Sequence, residues 1–199
     1  MSVGLLLSGG IDSSALAYWM HPSICFTVDY GQLPATAEIN AAKLIAARLG
    51  VRHEVVRVDC SSIGSGDLTG KPSLKISHTP EWWPFRNQLL ITLCAMRALE
   101  LSVQELLVGT VASDSVHGDG TAEFFTTIDQ LLACQEGGLR VCTPAQKMTT
   151  LELISIAGIP LDAVLTTHSC HTGCLPCGRC RGCQRRFASF QALGLESQS

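Results

Sequence analysis

Short apolar runs that alternate with helical patterns are the feature that most constrains the fold of this chain. The runs have the length expected of strands buried in a parallel sheet, and they are too short for buried helices. The predicted strands are 3–7, 24–28, 53–58 and 105–109. The predicted helices are 15–20, 35–49, 87–101, 122–134 and 149–157. The alternation predicts an α/β fold: an open, mostly parallel sheet with helices on both faces.

Two segments interrupt this alternation. Residues 60–80 are rich in Ser, Gly, Thr and Lys without periodicity, which predicts a loop or flexible lid. Residues 170–183 are too rich in Cys, Gly and Pro to form a regular element. We therefore expect residues 1–165 to form one domain, with residues 166–199 as a small C-terminal, cysteine-rich module packed on it.

Composition narrows the possible classes of protein. At 199 residues, 46% hydrophobic and 16% charged, the chain has the composition of a compact globular protein rather than a disordered one. The formal net charge of -3 argues against a nucleic acid partner, because no global basic field is present. The start of the sequence lacks the pattern of a signal peptide, and no apolar run approaches membrane-spanning length. We expect a cytoplasmic protein that has no membrane segment.

A glycine- and serine-rich segment directly follows the first predicted strand. Its sequence is Ser-Gly-Gly-Ile-Asp-Ser-Ser, residues 8–14. Glycines let the backbone approach a polyanion, while serine hydroxyls and the N–H groups that open a helix can donate to phosphate oxygens. The Gly-Lys pattern of P-loop kinases and GTPases is absent. The segment predicts a phosphate-binding loop, and the alternative is an ordinary strand–helix turn.

Five of the 10 cysteines are crowded into one short stretch. They are Cys170, Cys174, Cys177, Cys180 and Cys183. Thiolates spaced by two residues can reach one ion, so the stretch predicts a closed tetrahedral zinc site. An iron–sulfur cluster and a redox dithiol are the alternatives, and the spacing does not choose between Cys170 and Cys174.

The remaining five cysteines are scattered along the chain. We expect them to behave as buried small apolar side chains. They are Cys25, Cys60, Cys94, Cys134 and Cys142.

The loop 8–14 resembles the pyrophosphate loop of the N-type ATP pyrophosphatases, which cleave ATP between its α and β phosphates and adenylate a carbonyl oxygen. The resemblance implies an ATP-binding set made of the loop and an acid after the second strand. That set is Ser8, Gly9, Gly10, Asp12, Ser13, Ser14 and Asp29. It also implies that Asp12 helps to place Mg²⁺, which with the N–H donors neutralises the charge of the departing pyrophosphate.

The loop and the cysteine cluster together resemble the 7-cyano-7-deazaguanine synthase family. The likeness extends to residues 29–32, 84–87, 109–114 and 167–170. It implies substrate-binding residues, which are Tyr30, Gln32, Arg86, Asn87 and Asp114. It implies catalytic residues, which are Asp12, Arg86, Asp114 and Lys147. It also implies four zinc ligands, Cys170, Cys177, Cys180 and Cys183, and leaves out Cys174.

Two departures from the family pattern affect the predicted site. A stretch that usually reads Tyr-Pro-Asp-Cys-Arg is replaced by His-Gly-Asp-Gly-Thr-Ala at 117–122. Thr150 occupies the position of a family lysine, and Lys147 lies one helical turn earlier. Losing a cation near the phosphates weakens transition-state stabilisation unless Lys147 or an arginine replaces it.

The resemblance implies that ATP activates the carboxylate of 7-carboxy-7-deazaguanine, that ammonia gives the amide, and that a second activation gives the nitrile. The implied cofactors are ATP, Mg²⁺ and Zn²⁺, and the implied assembly is a homodimer. A rival hypothesis keeps the activation but attaches the deazaguanine to a protein amino terminus, as relatives in anti-phage operons do. The two motifs also leave open a non-catalytic zinc-containing binding module and a sulfur-transferring tRNA enzyme.

Overall fold

The computed structural model describes residues 2–195, which form one parallel sheet and the helices packed on it. The strands are β1 (Val3–Leu6), β2 (Ile24–Asp29), β3 (Arg52–Arg57), β4 (Glu105–Val108) and β5 (Arg140–Cys142). The α-helices are α1 (Ile11–Met20), α2 (Ala35–Leu49), α3 (Arg86–Glu100), α4 (Ala122–Ala133), α5 (Thr150–Ala157), α6 (Leu161–Leu165) and α7 (Arg181–Ala192). Short 3₁₀ turns are Ser61–Ile63, Ala112–Val116 and Gly118–Gly120.

The order of the strands determines where a ligand can bind. The order is β3-β2-β1-β4-β5, and every neighbouring pair is parallel. The chain builds outward from β1 to β3 and then returns to place β4 on the other side of β1. The direction of winding therefore reverses between β1 and β4. In open parallel sheets, ligands bind beyond the carboxyl ends of the strands at such a point.

The two faces of the sheet carry separate cores, because successive side chains of a strand point to opposite faces. Leu5 and Leu7 pack in the cluster that contains Ile45 of α2 and residues of α1, α5 and α6. Leu6, between them, packs against the other cluster, which contains Ile91 of α3 and residues of α4. This arrangement confirms the predicted α/β fold with helices on both faces.

The four predicted strands and the predicted helices are confirmed with small shifts at their ends, and the structure adds β5, α6 and α7. Helix α7 begins at Arg181, inside the stretch 170–183 that was expected to be irregular, so that prediction was wrong at its end. The physical reason is a cap that the composition does not reveal. Cys180 occupies the N-cap position, and its Sγ accepts a hydrogen bond from the N–H of Cys183 at 3.4 Å.

The segment 60–80 is a loop with one 3₁₀ turn, as expected. Of the five scattered cysteines, Cys25, Cys60 and Cys94 are buried and Cys142 is half-buried. Cys134 is exposed, which corrects the expectation of burial: it ends α4, where its thiol donates to a backbone carbonyl. The division at residue 165 stays a prediction, and Met1 and residues 196–199 lie outside the described residues. Within residues 2–195, no helix combines the length and apolar character needed to cross a membrane.

Gly109 brings the end of β4 against the start of α1. A Cβ at this position would lie 2.7 Å from the Cα of Ser13 and 3.0 Å from its backbone nitrogen. Backbone atoms cannot rotate away as the end of a side chain can. The missing side chain of Gly109 therefore lets the start of α1 pack directly against the end of β4.

We expect Gly109→Ala to lower the free energy of unfolding by about 1–3 kcal/mol, because the added methyl group overpacks this contact. The comparison is with Gly118→Ala, where an added Cβ meets nothing within 4 Å. Both variants change the unfolded chain in the same way, so their difference isolates the contact. Urea denaturation measures it. Equal unfolding free energies for the two variants would contradict the packing argument.

Candidate active site

The carboxyl ends of β1 and β4 open into a cavity of about 290 Å³. Eight of the residues predicted for the site line it: Ser8, Gly10, Asp12, Ser13, Tyr30, Arg86, Asn87 and Asp114. The remaining non-metal candidates are outside the lining: Gly9, Ser14, Asp29, Gln32 and Lys147. The structure thus brings together residues from after β1, after β2, at the start of α3 and after β4.

The loop 8–14 has the geometry of an anion site. Gly10 is the N-cap of α1, and no side chain caps the first N–H groups of that helix. The hydroxyls of Ser8 and Ser13 lie 3.0 Å apart, and the Ser13 hydroxyl also accepts from the Ser8 N–H at 3.2 Å. Uncapped N–H groups at a helix start, with hydroxyls beside them, favour a bound phosphate.

Gly9 keeps this loop compact. Gly9 has a φ of 76°, and a Cβ there would lie 2.5 Å from the carbonyl oxygen of Glu38, so only glycine fits. Its carbonyl accepts from the backbone N–H of His168 at 2.8 Å, which ties the C-terminal part of the chain to the loop. Ser14 is fully buried, and its hydroxyl has no hydrogen-bond partner among residues 2–195.

Two carboxylates from different strand ends meet at one arginine. Arg185 of α7 lies with one guanidinium nitrogen 2.8 Å from Asp114 Oδ1 and the other 3.4 Å from Asp12 Oδ2. Burial raises the pKa of Asp12, an effect opposed by a hydrogen bond from Thr150 and by the charge of Arg185. Asp12 is therefore a largely desolvated carboxyl group whose ionised form is stabilised by the nearby cation.

Thr150, which stands where the family pattern has a lysine, opens α5 and lines the cavity. Its hydroxyl donates to Asp12 Oδ1 at 2.7 Å. Lys147 is exposed and lies outside the cavity lining. The cation that reaches the acids in this structure is Arg185, and a catalytic role for Lys147 stays a prediction.

Arg86 enters the cavity from a strained helix start. The residue before it, Phe85, is the N-cap of α3 and has a left-handed φ of 56°. A cation at this end of a helix opposes the helix dipole, so it needs a compensating anion. Glu38 is the acid whose charge interacts with Arg86: burial raises the pKa of Glu38 to about 7, against lowering by a hydrogen bond from Gln32 and by the charge of Arg86.

Three of the predicted binding residues use their side chains within the protein. Gln32 donates to Glu38 Oε2 at 2.7 Å and to the carbonyl of Val28, and it accepts from the N–H of Tyr30. Asn87 lines the cavity, but its side-chain amide donates to a backbone carbonyl, that of Asp119, at 2.7 Å. Asp29 accepts from a backbone N–H at 3.3 Å in the turn after β2. Their ligand roles stay predictions.

Several charged residues that line the cavity were not among the predicted catalytic, ATP-binding or substrate-binding residues. They are Glu38, Glu81, His117, Arg181, Arg185 and Arg186. For Arg181, Arg185 and Arg186 the sequence suggested only that they partly offset the negative charge of the thiolates. One signal was available: Arg181 and Arg185 are four residues apart, the spacing that places two side chains on one face of a helix. Helix α7 was not predicted, because its first residues belong to the stretch 170–183, whose Cys, Gly and Pro content argued against a regular element.

The cysteine cluster fits a tetrahedral metal ion. The Sγ atoms of Cys170, Cys177, Cys180 and Cys183 all lie within 4.8 Å of one another. A zinc ion with bonds of about 2.3 Å to four sulfurs would hold them about 3.8 Å apart. The Sγ atoms of Cys177 and Cys183 are 3.9 Å apart. Cys174 is exposed and is not part of the group, so the donor set matches the four predicted ligands.

Comparison of the sequence with known proteins shows the family of this chain. Residues 3–194 match the model of the family described as queuosine biosynthesis protein QueC. This chain belongs to that family. A 7-cyano-7-deazaguanine synthase of Desulforudis audaxviator is 31% identical, over 96% of this chain and 96% of its own length. Synthases of the same name from Thermoplasma acidophilum and Ectopseudomonas mendocina are 31% and 32% identical, over 96% of this chain and 88% and 94% of their lengths.

We expect Cys180→Ser to lose bound zinc and to unfold at a lower temperature, because metal binding to a structural site is folding free energy. Cys174→Ser is the matched control and is expected to keep one zinc per chain. Elemental analysis of the purified proteins gives the metal content, and thermal unfolding gives the stability. Loss of zinc from Cys174→Ser to the same extent would overturn the ligand assignment.

Proposed function

We propose that this chain uses ATP to activate the carboxylate of 7-carboxy-7-deazaguanine and converts it, with ammonia, to the 7-cyano product. The observation that carries the proposal is that loop 8–14, which contains Asp12, lies in one cavity with Asp114 and Arg185, at the point where the winding of the sheet reverses. Membership of the QueC family and the names of the relatives support the choice of substrate. The reaction class is that of an AMP- and pyrophosphate-forming C–N ligase.

In this proposal the phosphate loop holds the part of ATP that leaves. The N–H groups that open α1 and the hydroxyls of Ser8 and Ser13 donate to the pyrophosphate oxygens, whose charge grows as the bond to the α phosphorus breaks. Arg86 faces the same cavity and donates to a substrate carboxylate or a phosphate. These residues align the reactants and stabilise charge, and no covalent intermediate on the protein is required.

The atoms balance in two activation steps. A carboxylate oxygen attacks the α phosphorus, which gives an acyl-adenylate and pyrophosphate. Ammonia displaces AMP and leaves the amide. The amide oxygen is then adenylated by a second ATP, and loss of AMP and two protons gives the nitrile. Each nitrile therefore consumes two ATP.

Two metals belong to the proposal. Asp12 and Asp114 fit Mg²⁺, because carboxylate oxygens are ligands that this cation prefers. The four clustered cysteines fit zinc, which has a structural role there because four thiolates leave no open coordination position. A homodimer and a cytoplasmic location stay predictions of the same proposal, and a protein acceptor for the activated base belongs to the rival hypothesis.

The products of the reaction test the proposal. Purified protein with ATP, Mg²⁺, 7-carboxy-7-deazaguanine and ammonium should form AMP and nitrile in a ratio of two to one, measured by mass spectrometry. Without ammonium, the reaction should stop at the acyl-adenylate, so that pyrophosphate is released but free AMP and nitrile are not. Nitrile that fails to form with ammonium present, while AMP is released, would exclude the synthase. A peptide with a free amino terminus in place of ammonium tests transfer to a protein amine.

We expect Asp12→Asn to lower AMP formation by on the order of 100-fold or more, because the carboxylate that would place Mg²⁺ against the leaving pyrophosphate is lost. The fold and the zinc content should be unchanged. Asp162→Asn is the matched control, since Asp162 forms a salt bridge with Arg48 on the exposed surface, away from the cavity lining. Such a pair contributes little, so this variant should react like wild type. Turnover of Asp12→Asn at the rate of the control would reject the role of Asp12.

A further inference from the structure

A buried carboxylate in the cavity wall has an oxygen that the protein leaves free. Glu81 lies at the end of the long loop before α3, and its side chain is 3% exposed. Its Oε1 accepts from Arg181 at 2.9 Å and lies 3.5 Å from the Nε2 of His117. Its Oε2 is buried and has no hydrogen-bond partner among residues 2–195. A buried oxygen of a charged group that lacks a partner is costly, so it indicates a missing donor.

Glu81 stays negatively charged near neutral pH. Burial alone raises its pKa, but hydrogen bonds from His117 and Arg181 outweigh this effect and lower the pKa to about 2. The free oxygen is therefore an anionic acceptor. It repels phosphate and carboxylate groups and attracts N–H donors.

Helix α7 contacts both Glu81 and the acid pair Asp12 and Asp114. Arg181 contacts Glu81, and Arg185, one turn further along α7, contacts Asp12 and Asp114. Side chains four residues apart on a helix are separated by about 6 Å. The free carboxylate and the acid pair are thus contacted from successive turns of one helix. All of these residues line the same cavity.

The chemistry of Glu81 discriminates between two kinds of base. A 2-amino-4-oxopyrimidine ring presents a ring N–H beside an exocyclic amino group, so both can donate to one carboxylate. An adenine ring presents its amino group beside an unprotonated nitrogen, whose lone pair a carboxylate repels. Buried polar groups built to pair with a ligand donor reject an analogue that lacks it by large factors.

We propose that Glu81 is a specificity-determining residue that accepts hydrogen bonds from the amino-pyrimidinone edge of the bound base, with Arg181 and His117 as its positioning residues. Arg181 is fixed in turn by the carbonyl of Ser113 at 3.4 Å, so it holds Oε1, while Oε2 is left without a partner among residues 2–195. This inference rests on the proposed function for the identity of the base. It adds the residue that recognises it.

The test compares two ligands that differ only in the exocyclic amino group: 7-carboxy-7-deazaguanine and 7-carboxy-7-deazahypoxanthine. We expect wild type to prefer the amino compound by on the order of 100-fold in kcat/KM. Glu81→Gln keeps the shape of the side chain and removes its charge, so the preference should fall below about tenfold. Glu136→Gln, an exposed glutamate, is the matched control and should keep the full preference.

Two further measurements separate the possible failures. Thermal unfolding and zinc content of Glu81→Gln should match those of the control. The preference of wild type alone tests the proposal even if this variant does not fold: equal use of the two ligands overturns it. An equal loss of activity toward both ligands in a folded Glu81→Gln also overturns it, since that result describes a purely structural residue.

Calorimetric binding of 7-deazaguanine and 7-deazahypoxanthine to wild type and to Glu81→Gln requires no turnover. If wild type binds the amino base preferentially and Glu81→Gln does not, the role of Glu81 holds even where nitrile formation fails. If nitrile forms but both bases bind wild type equally, the proposed function stands and the role of Glu81 is rejected.

Discussion

The contact of Arg185 with Asp12 and Asp114 is the interaction on which the rest of the site depends. Asp12 follows β1 and Asp114 follows β4, so the reversal of the sheet brings two like charges to one partly buried place. Two carboxylates this close repel one another unless a cation stands between them. The cation comes from α7, near the other end of the chain. Helix α7 must therefore dock in one orientation.

The cysteine cluster sets the orientation of α7. Cys180 is the N-cap of that helix and Cys183 lies in its first turn, so two of the four thiols belong to the helix start. The other wall of the cluster is the segment around Cys170. Gly182 packs against it so closely that a Cβ would lie 1.8 Å from the carbonyl oxygen of Ser169. An ion that gathers these thiols thus also fixes the positions of Arg181 and Arg185. The C-terminal segment is part of the cavity wall rather than an appendage.

The sequence predicted those parts of the structure whose signals are local. The strands β1, β2 and β4 were recognisable as short apolar runs, β3 as an alternating segment, and the loop 8–14 as a string of small residues after a strand. Strand β5 was missed because it has three residues, of which only Val141 is buried. Cys170 was separated from Cys174 by resemblance alone, and the structure places the Cys170 thiol in the cluster with the other three.

The contacts of the site that were missed join residues far apart in sequence. Arg185 reaches Asp12 across 173 positions, and Arg181 reaches Glu81 across 100. No spacing rule for one strand or helix contains such pairs. Gln32 lies just after β2, where its amide holds the turn and Glu38, and its ligand role stays a prediction. Proximity to a strand end predicts a side chain near the site, but not what that side chain contacts.

The charges of the cavity constrain what can enter it. Its lining carries four arginines and four carboxylates: Arg86, Arg181, Arg185, Arg186, Asp12, Glu38, Glu81 and Asp114. Three of the arginines are already engaged, because Arg181 and Arg185 pair with acids and Arg186 stacks on Phe190 while it donates to a carbonyl. A nucleotide polyphosphate adds several negative charges to this balanced lining. The N–H dipoles of α1 and the guanidinium of Arg86 offset only part of them. A divalent cation offsets the phosphates and the acid pair together, so the lining favours a metal-bound nucleotide over a free one.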